Sequence, residues 1–389
     1  MKHFNYHQSS EIVFGSGRIA EAGQIVKKYG NRCLMVTTPD KPLQPLYERV
    51  RNILAGAGLE VAHFDGVIPN PTTETSAAGS KIAKEHGADV ILGLGGGSSM
   101  DAAKAIAVEA THEGSAWDYL FYKEPAPDPS KVLPVVAVST TSGTGSQVTQ
   151  VSVITNTAER DKSALYNPVI FPKVAIVDPE LMLTLPASVT APTGFDVFSH
   201  AFESMINPGT GAYVTLLAKE AIHLVIKNLP KVLKDGSDLA AREKMAWADT
   251  LAGLCIASAG VTLPHGMGMA VGGMYPHVAH GEALAILYPA CTRYTAMAAE
   301  EQYAFLAKAV NPELENVPDR EAAEHAYSEI VGFLKSLGLY KGLREVNMPE
   351  DEIEALAKQS MVLPDYEGNP RVATYDEMVE LVKEAYFQS

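Results

Sequence analysis

The sequence predicts an α/β domain over residues 1–185 and an all-α domain over residues 186–389. Three observations carry this. Short apolar runs of β type alternate with amphipathic stretches through the first half, and glycine-rich turns directly follow two of those runs. Past Pro186 a 3.6-residue apolar period takes over while Ala, Leu, Met and Glu rise. A chain of 389 residues without an internal repeat fits two domains at roughly 100–200 residues each.

Taken in order, residues 32–38 (RCLMVTT) form a compact β-type run, and a helical stretch at 43–56 ends in Gly56 and Gly58. A second apolar run (59–64), a turn-rich VIPNPTTET and a helix near 74–86 follow. DVILGL (89–94) reads as a buried strand leading through glycines into a helix from 98 to 109, and VLPVVAVST (132–140) as another. VTQVSVIT (148–155) and VAIVDP (174–179) complete the half, giving βαβ units and a mainly parallel sheet. Helices are expected near 188–206, 211–228, 239–258, 282–309, 319–337, 349–358 and 374–387.

Composition narrows the function. With 31 Lys and Arg against 46 Asp and Glu, the formal charge is −15, a field that repels phosphate backbones and anionic lipid; neither nucleic acid nor membrane is an expected partner. Cys33, Cys255 and Cys291 are widely spaced, which fits a reducing, cytoplasmic setting and excludes a disulfide framework or a Cys-ligated zinc knuckle. The start, MKHFNYHQSSEIVF, lacks the apolar core of a signal peptide. Thr250 to Gly281 carries no Asp, Glu, Lys or Arg, yet it holds Pro264, Pro276, seven glycines and His265, His277 and His280. Histidines facing lipid are costly, so this stretch is expected as a buried, irregular helix–turn region.

Residues 93–101, GLGGGSSMD, lie between a strand and a helix. Consecutive glycines let backbone N–H groups approach a ligand, and a helix N-terminus adds a positive dipole, which suits pyrophosphate. The strict G-x-G-x-x-G pattern fails at Ser98, and a plain βα turn is the bland alternative. STTSGTGS (139–146) makes a second such turn, expected on the same sheet edge, where open α/β folds bind ligands. Together the two turns favour a dinucleotide. In TGFDVFSHAFE, Asp196 and His200 stand at i and i+4 on one helix face; alone they are as compatible with a local hydrogen bond as with an ion. The buried histidines of LPHGMG and HVAHGEA add imidazoles, and one carboxylate with two or three imidazoles suits Zn²⁺ or Fe²⁺ with a position left for substrate. The other histidines sit in ordinary surface or structural contexts.

These motifs, with FGSG (14–17), PNPT near residue 70, ALYNPVIFPKVAIVDPELMLTLP (164–186) and HGEALAIL (280–287), resemble the iron-containing, group III alcohol dehydrogenases in order along nearly the whole chain. The resemblance implies an N-terminal Rossmann-like domain binding NAD or NADP and an all-α C-terminal domain holding the metal, a dehydroquinate synthase-like architecture. It implies hydride transfer between nicotinamide C4 and a small alcohol or aldehyde on a divalent ion in the cleft between domains, Fe²⁺ first and Zn²⁺ as the alternative. By position, Asp196, His200, His265 and His280 match the metal ligands. Gly95, Gly96, Gly97, Ser98 and Asp101 match the pyrophosphate loop, Thr140, Thr141 and Thr144 the second cofactor loop, and Lys162 a lysine near cofactor and substrate. A homodimer is the expected assembly.

Three departures from the family pattern stand out. Met269 occupies the place of a histidine four residues after the second imidazole ligand, so no imidazole relay is expected at that position and His277 becomes a candidate. His265 and His280 are 15 apart rather than 14; His277 would give 12, but the Gly-Glu-Ala after His280 favours the latter. Thr38 stands where NAD-preferring members carry an Asp at the end of the second strand, with Asp40 two positions on. Losing that carboxylate removes repulsion against a 2′-phosphate and tilts the expectation to NADP(H). A zinc-dependent polyol dehydrogenase is the nearest alternative. A dehydroquinate synthase-like lyase would need Lys and Arg that residues 250–281 lack, and a non-catalytic nucleotide binder would tolerate lost ligands, whereas all four are present. Short aliphatic alcohols, lactaldehyde, propanediol and butanol-type substrates all suit an apolar pocket near Met267, Met269 and Met274.

Overall fold

A computed structural model describes residues 3–389. The chain divides into two compact units, Tyr6–Thr184 and Leu185–Ser389, the latter joined by the N-terminal segment up to Asn5. Phe4 of that segment stacks on Tyr213 at 6.4 Å, which ties it to the second unit.

The strands of the first unit are β1 (Glu11–Phe14), β2 (Arg32–Val36), β3 (Glu60–Phe64), β4 (Val90–Gly95), β5 (Val135–Ser139), β6 (Val151–Asn156), β7 (Asp161–Tyr166) and β8 (Val174–Val177). Six form one sheet in the order β1-β8-β5-β4-β2-β3, every pair parallel. β4 and β5 are buried along their whole length, which is why they read as unbroken apolar runs rather than alternating ones. The helices of this unit are α1 (Ala22–Lys27), α2 (Gln44–Gly56), α3 (Thr73–His86) and α4 (Gly97–Glu109). Thr72 caps α3 by accepting from the Thr75 N–H at 3.2 Å, and Gly87 closes it at φ 63°.

β6 and β7 depart from the expected parallel arrangement. β6 does not join the parallel sheet; it pairs antiparallel with β7, a strand the sequence reading passed over, as a separate two-stranded sheet. α4 is buried nearly all round because it packs on β4 and β5 and also on β6. Lys104 of α4, fully buried, donates to the carbonyls of Ser146 (2.7 Å) and Val151 (2.6 Å), pinning the hairpin to the helix.

The second unit contains α5 (Ala187–Ile206), α6 (Ala212–Lys234), α7 (Leu239–Ala259), α8 (Leu263–Met274), α9 (His280–Thr295), α10 (Glu300–Val310), α11 (Asp319–Ser336), α12 (Ile353–Gln359) and α13 (Tyr375–Phe387). α5 packs against α6, α7 and α9, and its Phe195, Phe198 and Phe202 form a ladder of rings with Tyr288 of α9 against its flank. The expected helix over 282–309 is two, α9 and α10, separated by a tight turn at Ala296–Ala298, with Glu300 and Glu301 favouring a fresh N-terminus. The charge-free stretch is the expected helix–turn region: α7 ends at Ala259, α8 runs from Leu263 to Met274, and residues 275–279 turn before α9. α7 and α8 turn through 101°, and α5 holds the corner: Ser204 Oγ donates to the Gly260 carbonyl (2.8 Å) and Asn207 Nδ2 to that of Val261 (2.9 Å). No single helix among the described residues is long and apolar enough to cross a membrane.

Candidate active site

In the first unit, three turns collect at the C-terminal edge of the sheet. The strand order reverses between β2, which leads outward to β3, and β4, which leads the other way to β5. Ligands of open α/β sheets bind outside the strand ends at such a switch point. β4 and β5 end in register, Gly95 opposite Ser139, so both glycine-rich turns leave the sheet side by side. The Thr140 N–H donates to the Gly95 carbonyl at 2.9 Å. Gly95 adopts φ +151°, and a Cβ there would meet Ser99 Oγ at 2.4 Å. A Cβ on Gly96 would lie 3.1 Å from Thr141 Cγ2, and one on Gly97 2.4 Å from Thr144 Cγ2. The glycines therefore let the threonine turn close over the N-terminus of α4, where Ser98 is half-buried in the first turn.

Asp101 is turned into the protein: its Oδ1 accepts from Ser146 Oγ at 2.6 Å and its Oδ2 from the Val153 N–H at 3.1 Å. Burial pushes its carboxyl up from the usual range, with the Lys104 ammonium opposing. Asp101 thus braces the hairpin behind the turn. Lys162, on β7 and buried, donates to Asn70 Oδ1 at 2.8 Å. After β2, the Thr38 hydroxyl lies 2.8 Å from both Tyr47 OH and Asp40 Oδ2, so Thr38 holds a carboxylate in place at the strand end.

The second unit gathers the acidic and imidazole groups. Asp196 and His200 share one face of α5, His265 lies in the first turn of α8, and His280 opens α9. The Nε2 atoms of His265, His200 and His280 lie 3.5, 3.6 and 3.9 Å from one oxygen, Asp196 Oδ1. Asp196, His265 and His280 each offer a ligand atom within 4.8 Å of the other two. These separations exceed N–H···O hydrogen-bond lengths of 2.7–3.2 Å. They suit atoms about 2.0–2.2 Å from a common ion, which a tetrahedral site spaces about 3.4 Å apart. Neither Asp196 Oδ1 nor His265 Nε2 has a hydrogen-bond partner among the described residues, although both are buried. Orphaned acceptors facing one another are what a cation satisfies, so the residues fit a divalent ion. Burial would raise the Asp196 carboxyl, but the imidazoles of His200, His280 and His265 hold it down to about 2.

His277 is placed elsewhere: it is exposed, and its Nε2 lies 3.0 Å from the Val346 carbonyl oxygen. Met269, one turn after His265 on α8, is buried. Two further carboxyls border the site without having been singled out in the sequence. Glu203, fully buried on α5, meets His265 Nδ1 at 2.7 Å. Burial pushes Asp365, whose Cβ is packed near Gly266, up to about 6. Glu203 was legible in principle, because it follows His200 by three residues inside the GFDVFSHAFE motif. Nothing in the sequence brings Asp365 to α8.

Residues 9–179 match the family model described as iron-containing alcohol dehydrogenase, and residues 190–386 match that of the C-terminal part of the Fe-containing alcohol dehydrogenase family. The chain is 34% identical over 382 residues to an NAD-dependent methanol dehydrogenase of Bacillus methanolicus, covering 98% of this chain and 99% of that one. It is 33% identical to a 1,3-propanediol dehydrogenase of Klebsiella pneumoniae, again covering 98% and 99%. Among solved structures, an archaeal halo-thermophilic alcohol dehydrogenase from a Red Sea brine pool superposes with a TM-score of 0.92 at 35% identity, over 99% of this chain and all of that one.

Proposed function

Because the chain belongs to the iron-containing alcohol dehydrogenase family, we propose that it interconverts a small primary alcohol and its aldehyde with NAD(H), using a divalent ion held by Asp196, His200, His265 and His280. The observation that carries the reading is the convergence of three imidazoles on the orphaned Asp196 Oδ1. Fe²⁺ is the ion proposed first and Zn²⁺ the alternative, since imidazole and carboxylate donors suit both.

The reaction balances as alcohol plus NAD⁺ giving aldehyde, NADH and a proton. A divalent ion, when bound, would supply a Lewis acid that polarises a carbonyl and lowers a hydroxyl pKa, as it lowers that of water to about 7. The chain's own residues do the rest. Backbone N–H groups at Gly96–Ser98 and the N-terminal dipole of α4 receive the pyrophosphate, and the threonine turn packed on those glycines fixes their conformation. Met269, one turn after His265 on the same face of α8, is buried and gives the site an apolar neighbour. A thioether moves no proton, so the alcohol's proton leaves by a route other than residue 269.

NAD(H), rather than the NADP(H) to which Thr38 alone tilts the reading, is proposed because Thr38 presents Asp40 at the end of β2. A carboxylate there accepts from ribose hydroxyls and repels a 2′-phosphate. The B. methanolicus relative, named as NAD-dependent, supports the same choice. Relatives named for methanol and 1,3-propanediol support a small, weakly polar substrate.

The deciding experiment uses protein stripped by chelator, reloaded anaerobically with Fe²⁺ or Zn²⁺, and assayed for NADH and NADPH oxidation with a panel of short aldehydes. Turnover that depends on one metal and prefers NADH is expected. Turnover undiminished in the stripped protein overturns the metal assignment.

A further inference from the structure

Glu203 lies behind the four groups assigned to the ion, and its carboxylate reaches both His265 and the residue that precedes α8. It is fully buried. Oε1 accepts from Ser199 Oγ at 2.6 Å and lies 2.7 Å from His265 Nδ1. Oε2 accepts from the Thr262 N–H at 2.8 Å and from Thr262 Oγ1 at 3.2 Å. Thr262 immediately precedes α8, and its side chain does not cap that helix. A carboxylate from α5 therefore fixes where α8 begins, three residues before His265. It fixes the ring as well: with Nδ1–H donated to Glu203, the Nε2 lone pair is left facing Asp196 Oδ1, 3.5 Å away.

We propose that Glu203 is a positioning residue that holds His265 in the Nδ1–H form and thereby sets how tightly the site retains its divalent ion. The proposal rests on the reading of His265 as a ligand. An imidazole without such a partner divides its population between two tautomers and several ring orientations, of which one presents Nε2 to the ion. The neighbouring carboxylate also makes the ring a better donor. Glu203 undergoes no bond change in the reaction.

The test is Zn²⁺ affinity, measured on stripped full-length protein by competition with a chromophoric chelator. Wild type, Glu203→Gln, Glu203→Asp and His265→Ala are compared. Gln keeps an acceptor for Nδ1–H but loses the charge and sets an amide against the Thr262 N–H; Asp keeps the charge one methylene short of the ring. Both are expected to bind Zn²⁺ about 10–100-fold more weakly and to release it faster, with unchanged affinity for NADH. A merely structural role would lower the melting temperature without altering the affinity of the folded protein. Folded Glu203→Gln with wild-type affinity overturns the proposal; if that variant does not fold, wild-type affinity in Glu203→Asp does so. Wild-type protein that takes up no ion, or His265→Ala that binds as wild type does, instead overturns the underlying reading of the site.

Discussion

Gly281 stands next to His280 at the start of α9, and α9 meets α5 there with no room for a side chain. A Cβ at 281 would lie 2.0 Å from the Pro192 carbonyl oxygen and 2.6 Å from its carbon. Both atoms are backbone, so no rotamer change relieves the clash. Restoring ordinary contact at 3.4 Å requires the helices to separate by about 1.4 Å. Asp196 lies one turn beyond Pro192 on α5, so the separation acts directly on the 3.9 Å spacing of His280 Nε2 and Asp196 Oδ1. Coordination tolerates only about 0.2 Å. Overpacking of this kind costs about 1–3 kcal/mol, equal to about 5–150-fold in an equilibrium constant. For Gly281→Ala that cost has two places to appear. If α9 stays, the stripped protein melts about 2–12 °C lower; if α9 moves, the melting temperature recovers and Zn²⁺ affinity falls instead. Thermal melts and chelator competition on the same preparations separate the two. Wild-type values in both assays would refute the reasoning that this glycine holds the helices carrying Asp196 and His280 in register.

Gly97→Ala sets a methyl 2.4 Å from Thr144 Cγ2, and is expected to weaken NADH binding at least tenfold in a fluorescence titration, with partial recovery on adding Thr144→Ala. Asp40→Asn removes the carboxylate that Thr38 holds, and the ratio of NADH to NADPH dissociation constants is expected to move at least tenfold towards NADPH; an unchanged ratio counts against the cofactor assignment. Glu377 is held down to about 2 by the Thr374 N–H first, then by Arg371 and Tyr294. Its folded pKa lies below the unfolded one, so its contribution to stability is complete above about pH 4.5 and disappears as pH falls through 2. Melting temperatures of wild type and Glu377→Gln are accordingly expected to converge as pH is lowered from 5 to 2.

The elements most legible in the sequence are those that one local pattern determines. β2, β4 and β5 announce themselves because strands covered on both faces need apolar residues at every position, and the two glycine turns because their positions force close backbone approach. β1 has four residues at the sheet edge and β7 reads DKSALY, so neither carries a run long enough to register. β7 exists because its partner β6 is anchored to α4 by Lys104 and Asp101, a long-range cause with no local mark. The imidazoles were legible from their charge-free surroundings, and the structure brings His280 rather than His277 to Asp196. What carboxylates do was least legible. Asp101 faces inward, Asp40 is recruited by a threonine, and Glu203 acts through a histidine 62 residues away.

All four groups assigned to the ion, and Glu203 behind them, come from Leu185–Ser389, whereas the two glycine-rich turns proposed for the coenzyme come from Tyr6–Thr184. On the proposed assignment, metal and coenzyme would be held by groups from separate stretches of one polypeptide. An ion at a thousand times its dissociation constant stabilises the state that binds it by about 4.1 kcal/mol. At about 2–4 °C per kcal/mol for a body of this size, that is about 8–16 °C of thermal protection. Scanning calorimetry of the stripped chain should respond to added Zn²⁺ chiefly in the transition of the helical half, and to added NADH chiefly in that of the sheet half.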